Sequence, residues 1–295
     1  MTVGRWGEDP RMHKKRFTIR RSALFGLLFA GLLAMAACGK RTANNTTPED
    51  VVSPTPTVTG VVIIDEDDET EPALRPEAQE IYQLKKPAQG ELCAEFTFTG
   101  YGVISVRLFP EEARKAVENF KTLAGNGFYD GIKVNRVIED YIVQAGDREG
   151  QGLGGESIYG GGFADEIVES LKPIRGALCM ANLGTESTNT IQFFFVQTKA
   201  SVIRGLREPL DNRFHITTEQ YLKEAYGTEL SAEELSFYEL YGGAPWLYGH
   251  NTVFGQIYDG YEVLDKLMSV KLTSRLRPNP PVVIETVRIF HYGEK

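Results

Sequence analysis

From Glu91 to its end the chain alternates short apolar segments with polar and glycine-rich breaks, the rhythm of strands more than of helices. Leu92 to Thr99 and Val103 to Phe109 predict two strands joined by a turn at Gly100-Tyr101-Gly102. Pro110-Glu111-Glu112 predicts a helix start, with proline at the first position and acids in the first turn. Ala113, Ala116, Val117, Phe120 and Leu123 follow at helical spacing, and Gly125 can end that helix. Further strands are expected near 132–138, 140–145, 175–181, 192–197, 252–258 and 282–290, with a short helix from Tyr261 to Met268. Between Lys199 and Gly243 the pattern turns polar and charged, with helical stretches at Glu219 to Tyr226 and Ala232 to Tyr241. Eight short strands and two core helices predict a mainly β fold. The expected form is a closed eight-stranded antiparallel barrel capped by two helices, with a partly helical insertion at about 199–243.

The N-terminal residues follow another pattern. Arg11, Lys14, Lys15, Arg16, Arg20 and Arg21 form a basic cluster, an apolar run from Ala23 to Ala37 follows, and then Cys38. A basic region, a short apolar run and small residues before a cleavage point describe a secretory signal. The run is shorter than the roughly 18–20 residues that a spanning helix needs. Met35-Ala36-Ala37-Cys38-Gly39 resembles a bacterial lipobox, in which the cysteine becomes lipid-modified and first in the mature chain. Met35 stands where leucine is usual, and an uncleaved signal anchor is the alternative. Arg20-Arg21 hints at a twin-arginine signal, but the pattern around the pair is poor.

From about 39 to 86 the chain is polar, proline-punctuated and acidic, with Ser53-Pro54-Thr55-Pro56-Thr57 and Asp65-Glu66-Asp67-Asp68-Glu69. Such a stretch buries too little apolar surface to fold alone and reads as a tether. The acidic run lacks the spacing and the glycine of a calcium loop. The organisation expected is therefore a signal over 1–37, a tether over 38–86 and a folded domain over 87–295.

Residues 1–37 hold seven of the 32 Lys/Arg and two of the 40 Asp/Glu, which leaves the remainder at a net charge of −13. That balance argues against nucleic acid as a partner. Besides Cys38, Cys93 and Cys179 sit in strand-like apolar contexts, either as two buried thiols or as a bridge. Gly150-Gln151-Gly152-Leu153-Gly154-Gly155 has the letters of a dinucleotide fingerprint, but no amphipathic helix opens after it, so a folded surface loop is expected. The four histidines, His13, His215, His250 and His291, have no metal spacing, no serine sits in a nucleophile elbow and there is no CxxC.

The candidate chemistry lies elsewhere. Arg136 precedes Ile142 and Gln144, which share one strand face, and Gln192 and Phe194 share a face on another strand. Two strands that each offer a carboxamide and an apolar side chain beside an arginine can make a small apolar pocket rimmed by amide-reading donors. A proline ring and its flanking peptide bonds would suit such a pocket.

Separated motifs then agree in order: Glu118-Asn119-Phe120, Arg136 to Asp147, Gly154-Gly155-Glu156-Ser157-Ile158-Tyr159-Gly160, Met180-Ala181-Asn182, Gln192-Phe193-Phe194, and Trp246-Leu247 ahead of Val253-Phe254-Gly255. Over about 90–291, apart from the insertion, the chain resembles a cyclophilin-type peptidyl-prolyl cis-trans isomerase. The segment ending in Gly242-Gly243-Ala244-Pro245-Trp246 is similar to a variant of some Gram-positive bacterial members.

The resemblance implies a cyclophilin-like barrel that needs no cofactor and no metal. It puts Arg136 in the place of the catalytic arginine. It puts Tyr141, Ile142, Gln144, Ala181, Asn182, Gln192, Phe194, Trp246, Leu247 and Asn251 in the substrate-binding positions. Tyr141 replaces the usual phenylalanine, Ile142 a common methionine, and Asn251 a histidine or tyrosine, with His250 as a register alternative. The implied partners are proline-containing unfolded or exported polypeptides and cyclosporin-like cyclic peptides at the Trp246 rim. Cys38 would supply a membrane anchor on the extracytoplasmic side. A non-catalytic module that docks proline-containing segments is the rival, supported by the replacements at 141, 142 and 251. A chaperone or docking surface on the insertion is a third expectation.

Overall fold

The computed structural model describes residues 81–149, 155–185 and 187–294. The signal, Cys38, the acidic run and most of the tether lie outside the described residues, as do 150–154 of the glycine-rich segment. Among the described residues no helix is long and apolar enough to cross a membrane.

Eight strands form one antiparallel sheet: β1 (Leu92–Phe98), β2 (Gly102–Leu108), β3 (Arg136–Ile138), β4 (Ile142–Ala145), β5 (Ala177–Met180), β6 (Phe193–Val196), β7 (Val253–Asp259) and β8 (Ile284–His291). Their order is β3-β4-β6-β5-β7-β2-β1-β8. Where a continuously closed barrel was expected, the ladder curves into a half-barrel with β3 and β8 at its ends. The two ends meet through flanking segments: Gly131 N donates to Ile284 O at 2.8 Å, Ile284 N to Ile132 O at 2.8 Å and Val134 N to Val282 O at 2.9 Å.

Among the described residues five helices accompany the sheet: α1 (Arg114–Gly125), α2 (Ala200–Pro209), α3 (Thr218–Tyr226), α4 (Ala232–Tyr241) and α5 (Tyr261–Met268). The main core lies between the concave face of the sheet and the apolar stripes of α1 and α5. Val137, Val143, Ala145, Phe193 and Phe195 meet Ala116, Val117 and Phe120 of α1 and Val263, Leu264 and Leu267 of α5 there. Phe96 packs edge-on against Phe195 at 5.1 Å between ring centroids. The proline does not start α1 as the sequence suggested. Ala113 leaves the helical path (φ −134, ψ 58) and cannot cap with its side chain. The carboxylate of Glu166 accepts from Lys115 N and Ala116 N, both at 2.9 Å, and so caps the helix from 50 residues away.

The other face of β3, β4, β6 and β5 is buried too. Ile138, Ile142, Val196, Phe194 and Cys179 form a second cluster with Tyr141, Leu171, Ala244, Leu247 and Val253. Burial on both faces explains the unbroken apolar run Phe193-Phe194-Phe195-Val196, which shows no alternation of its own.

The insertion leaves at Thr198 and returns at Gly243, whose amide donates to Thr198 O at 2.8 Å and ties its neck shut. A side chain at Gly243 would strike Ile174 Cα and Pro173 O, both at 2.5 Å from its Cβ, so only glycine passes there. The expected helices α3 and α4 form, each opened by a reciprocal capping box, Thr217 with Gln220 and Ser231 with Glu234. Helix α2, with a π-helical turn at Leu210–Phe214, was not expected. A third cluster joins Ile203, Leu222, Leu235, Tyr238 and Tyr241 of the insertion to Ile174 and Leu84.

Leu84 places residues 81–86, expected to be the end of the tether, within the folded unit. Tyr82–Leu84 form a 3₁₀ turn. Gln83 is buried, with its Nε2 donating to Lys172 O at 2.8 Å and to Gln256 Oε1 at 2.9 Å, and its Oε1 accepting from Lys172 N at 2.8 Å. Arg107 holds the same segment by a bond to Tyr82 O at 2.8 Å.

Cys93 and Cys179 are free and buried, so the bridge left open by the sequence is not formed. Burial, the largest influence, pushes the Cys93 thiol from 9.0 up to about 11 and moves Cys179 upward as well. Neither thiol should react with a thiol reagent at about pH 8 until the protein unfolds, and the unfolding midpoint should be the same with and without reductant. A reductant-sensitive midpoint would contradict this. Because the folded value of Cys93 lies above the unfolded one, its contribution to stability is complete below about pH 9 and is lost as pH rises through about 11. Chemical denaturation of a Cys93→Ala variant should show a smaller loss over that interval.

Candidate active site

The site is set by strand register. β3 and β4 form a hairpin whose turn places Asp140 at a left-handed φ of 54°, a conformation that aspartate tolerates better than most residues. That turn pairs Arg136 with Gln144. Gln144 in turn faces Phe194 on β6, and Phe194 faces Cys179 on β5. Residues directly opposite in an antiparallel ladder project to the same side. Arg136, Gln144, Phe194 and Cys179 therefore form one row across four strands, on the face away from the main core. Ile138, Ile142 and Val196 form the next row.

Hydrogen bonds fix the polar members. Gln144 Nε2 donates to Gln192 Oε1 at 3.0 Å, and Asn135 Nδ2 reaches the same oxygen at 3.4 Å. The backbone turning out of β4 comes so close to Gln192 that a Cβ at Gly146 would lie 2.8 Å from Gln192 Cα, and Gly146 holds φ 102°. Ala181 N donates to Gln192 O at 2.9 Å, which brings the 181–182 segment alongside. Arg136 is half-buried; burial lowers its pKa, while the nearby Tyr141 acts in the opposite direction. A guanidinium stays charged through such a shift. The phenol of Tyr141, itself buried, is pushed well above its ordinary value by desolvation.

Trp246 and Leu247 lie in a 3₁₀ turn at Pro245–Leu247 that lays Leu247 on the second cluster. The Trp246 ring stands 5.5 Å from that of Tyr141. Tyr141, Ile142, Phe194 and Leu247 belong to the second cluster, and Ala181 and Trp246 pack against it, while Asn182 and Asn251 bond within the fold and Cys38 lies outside the described residues. Asn182 Nδ2 donates to Asp165 Oδ1 at 3.0 Å and to His250 O at 2.7 Å, so its side-chain hydrogens serve the fold. Asn251 Nδ2 donates to Met180 O at 3.1 Å, while His250 is exposed and contributes its carbonyl.

Sequence reasoning missed Asp165. Its Oδ1 accepts from Asn182 at 3.0 Å, from the buried Asn189 at 2.8 Å and from Thr252 Oγ1 at 3.5 Å. One carboxylate therefore gathers the 182, 189–192 and 250–252 segments around the row. Asp165 lies in a loop with no period, and no pattern in the chain marks it.

The chain is similar to known proteins in sequence and in fold. The profile described as "Cyclophilin type peptidyl-prolyl cis-trans isomerase/CLD" matches residues 93–289. The chain belongs to that family. A Staphylococcus aureus (strain USA300) protein named among the peptidyl-prolyl cis-trans isomerases is 40% identical over 207 residues, 70% of this chain and 96% of that protein. A Staphylococcus epidermidis relative with the same name is 39% identical over 207 residues, again 70% of this chain and 96% of the relative. The crystal structure of a Cryptosporidium parvum cyclophilin-type isomerase superposes with a TM-score of 0.51 at 28% identity, covering 68% of this chain and 98% of that one. The same protein crystallised in the presence of the dipeptide Ala-Pro gives 0.50, with 67% and 98% covered.

Trp6 and Trp246 are the two tryptophans of the chain. With Trp6→Phe, the emission of Trp246 should shift on titration with a short Ala-Pro peptide and not with the matching Ala-Ala peptide. An unchanged spectrum at saturating peptide would place the ligand elsewhere.

Proposed function

We propose that this cyclophilin speeds cis-trans exchange at Xaa-Pro bonds by favouring the twisted amide, with Arg136 as the catalytic residue. The row Arg136–Gln144–Phe194 carries this assignment, because it sets a fixed cation, an amide and an apolar floor side by side. The bond resists rotation by about 18–20 kcal/mol, since its C–N bond has partial double-bond character. No bond breaks during rotation. At the top of the barrier the proline nitrogen has lost conjugation and accepts a hydrogen bond that it could not accept when planar.

Arg136 supplies that bond from a rigid, permanently charged fork. A charge-assisted bond is worth roughly 1.5–3 kcal/mol. A rate gain of about 10⁵ needs close to 7 kcal/mol. The difference falls to the rest of the site. Phe194, Ile142 and Leu247 hold the ring in an apolar slot beneath Tyr141 and Trp246. The Gln144–Gln192 pair and the backbone at Ala181 and Asn182 meet the flanking carbonyls. These contacts act on the swinging state more than on the planar ones, which is what raises the rate. Asn251 braces the end of β5 and shapes the rim. The same open rim suits a cyclosporin-like cyclic peptide. The contact between 131–134 and 282–284 supports a closed barrel with this site on its outer face.

Arg136→Ala should lower kcat/KM in a protease-coupled assay on an Ala-Pro peptide by about 10- to 150-fold, the worth of one charge-assisted bond, with little change in the unfolding midpoint. Arg136→Lys should recover only part of the loss, because an ammonium lacks the planar fork. Full turnover in Arg136→Ala would remove the arginine from the mechanism. Peptide binding with no exchange in the natural protein would favour the docking-module alternative.

The N-terminal pattern supports a place for this activity. We read Cys38 as a lipid-modified first residue, residues 39–80 as the tether, and newly exported chains outside the membrane as the substrates. Cys38→Ser should move the protein from the membrane fraction to the soluble fraction and remove the lipid mass from its N-terminal peptide. Retention in the membrane fraction, with no lipid mass on the N-terminal peptide of either form, would point to an uncleaved anchor.

A further inference from the structure

Trp246 belongs to two packing clusters at once. It lies against the second cluster, which carries Tyr141, Ile142 and Phe194, and against the third, which is the core of the insertion. Its ring is 5.5 Å from Tyr141 on one side of this junction and 6.1 Å from Tyr226, the last residue of α3, with the latter pair inclined at 32°. Tyr226 is itself braced edge-on by the buried Tyr221 at 5.9 Å and 84°. Directly after α3, Gly227 takes a left-handed φ of 71° and turns the chain back. That reversal brings the buried Thr228 to Trp246, where its Oγ1 donates to the Trp246 carbonyl at 3.4 Å. The insertion therefore grips this rim residue both by its ring and by its main chain.

We propose that Tyr226 is a positioning residue of the peptide site: it acts through Trp246, and the insertion sets the affinity of the site for the Xaa-Pro segment. The inference rests on the isomerase assignment of the same site. Its physical basis is pre-organisation. A tryptophan packed against two tyrosines loses little freedom when a peptide arrives, whereas one packed against a single tyrosine must be ordered at the expense of binding. Arg136 lies on β3, two strands from the insertion's neck at Thr198, and its hydrogen bond to the twisted nitrogen does not involve Tyr226. The effect therefore falls on binding and leaves the rotation step alone.

The test uses the full chain, a short Ala-Pro peptide, and kcat, KM and calorimetric affinity measured together. Tyr226→Ala should raise KM and weaken affinity by about three- to tenfold, the size expected for losing one aromatic pair, with kcat changed by less than about twofold. Tyr226→Phe keeps the ring and should restore both. Thr228→Val, which removes only the bond to the Trp246 carbonyl, should shift KM in the same direction by a smaller factor and serves alone if Tyr226→Ala fails to fold. Unchanged affinity in a folded Tyr226→Ala, or a fall in kcat at constant KM, would overturn the proposal. If the natural protein binds the peptide without speeding exchange, the isomerase assignment fails, and the affinities alone still decide the role of Tyr226.

Discussion

Everything at the site depends on the parity of one hairpin. Because side chains alternate along a strand, the pairing Arg136 with Gln144 sends Arg136, Gln144 and Phe194 to one face and Val137, Val143 and Phe195 to the other. A slip by one residue would drive the guanidinium into the phenylalanine-rich core and turn Val137 out to the ligand. Neither side tolerates the exchange, since an unpaired buried charge is among the costliest things a core can hold. The stability of the fold and the aim of the arginine are therefore set by the same register.

That constraint also explains why the centre of the site is strand-borne. The cation, both glutamines and the phenylalanine floor lie on or beside β3, β4 and β6, and a dense aromatic core backs the same strands from behind. Phe96, Phe120, Tyr129 and Phe193 contact one another with centroids 5.3–5.7 Å apart. Catalysis of a rotation needs rigid surroundings for a moving substrate, and packed strands give more precise placement than loops. The adjustable parts are at the rim: the 3₁₀ turn that carries Trp246, the segments gathered by Asp165, and the insertion behind them.

The strands were legible because they carry their own alternation or apolar runs between turn residues, and α3 and α4 because their apolar residues recur at helical spacing. Helix α2 was hidden for a physical reason. Its Val202, Ile203 and Gly205 are poor helix formers and Lys199 gives no side-chain cap, so the helix exists because Ile203 finds the third cluster. The start of α1 misled because its cap, Glu166, is supplied from a distant loop. Site residues of the kind that family motifs carry could be named from the sequence. Those that act through others, Asp165 and Tyr226, could not, since a hydrogen-bond hub and a shared aromatic neighbour leave no periodic trace.

The central claim is that a fixed surface lowers the barrier to rotation without altering the rotamers on either side of it. Exchange spectroscopy on an Ala-Pro peptide, with the protein far below stoichiometric amounts, measures this directly. The account predicts faster interconversion of the cis and trans signals in proportion to protein concentration, at an unchanged cis-to-trans ratio. Exchange no faster than in buffer, with peptide demonstrably bound, would contradict it.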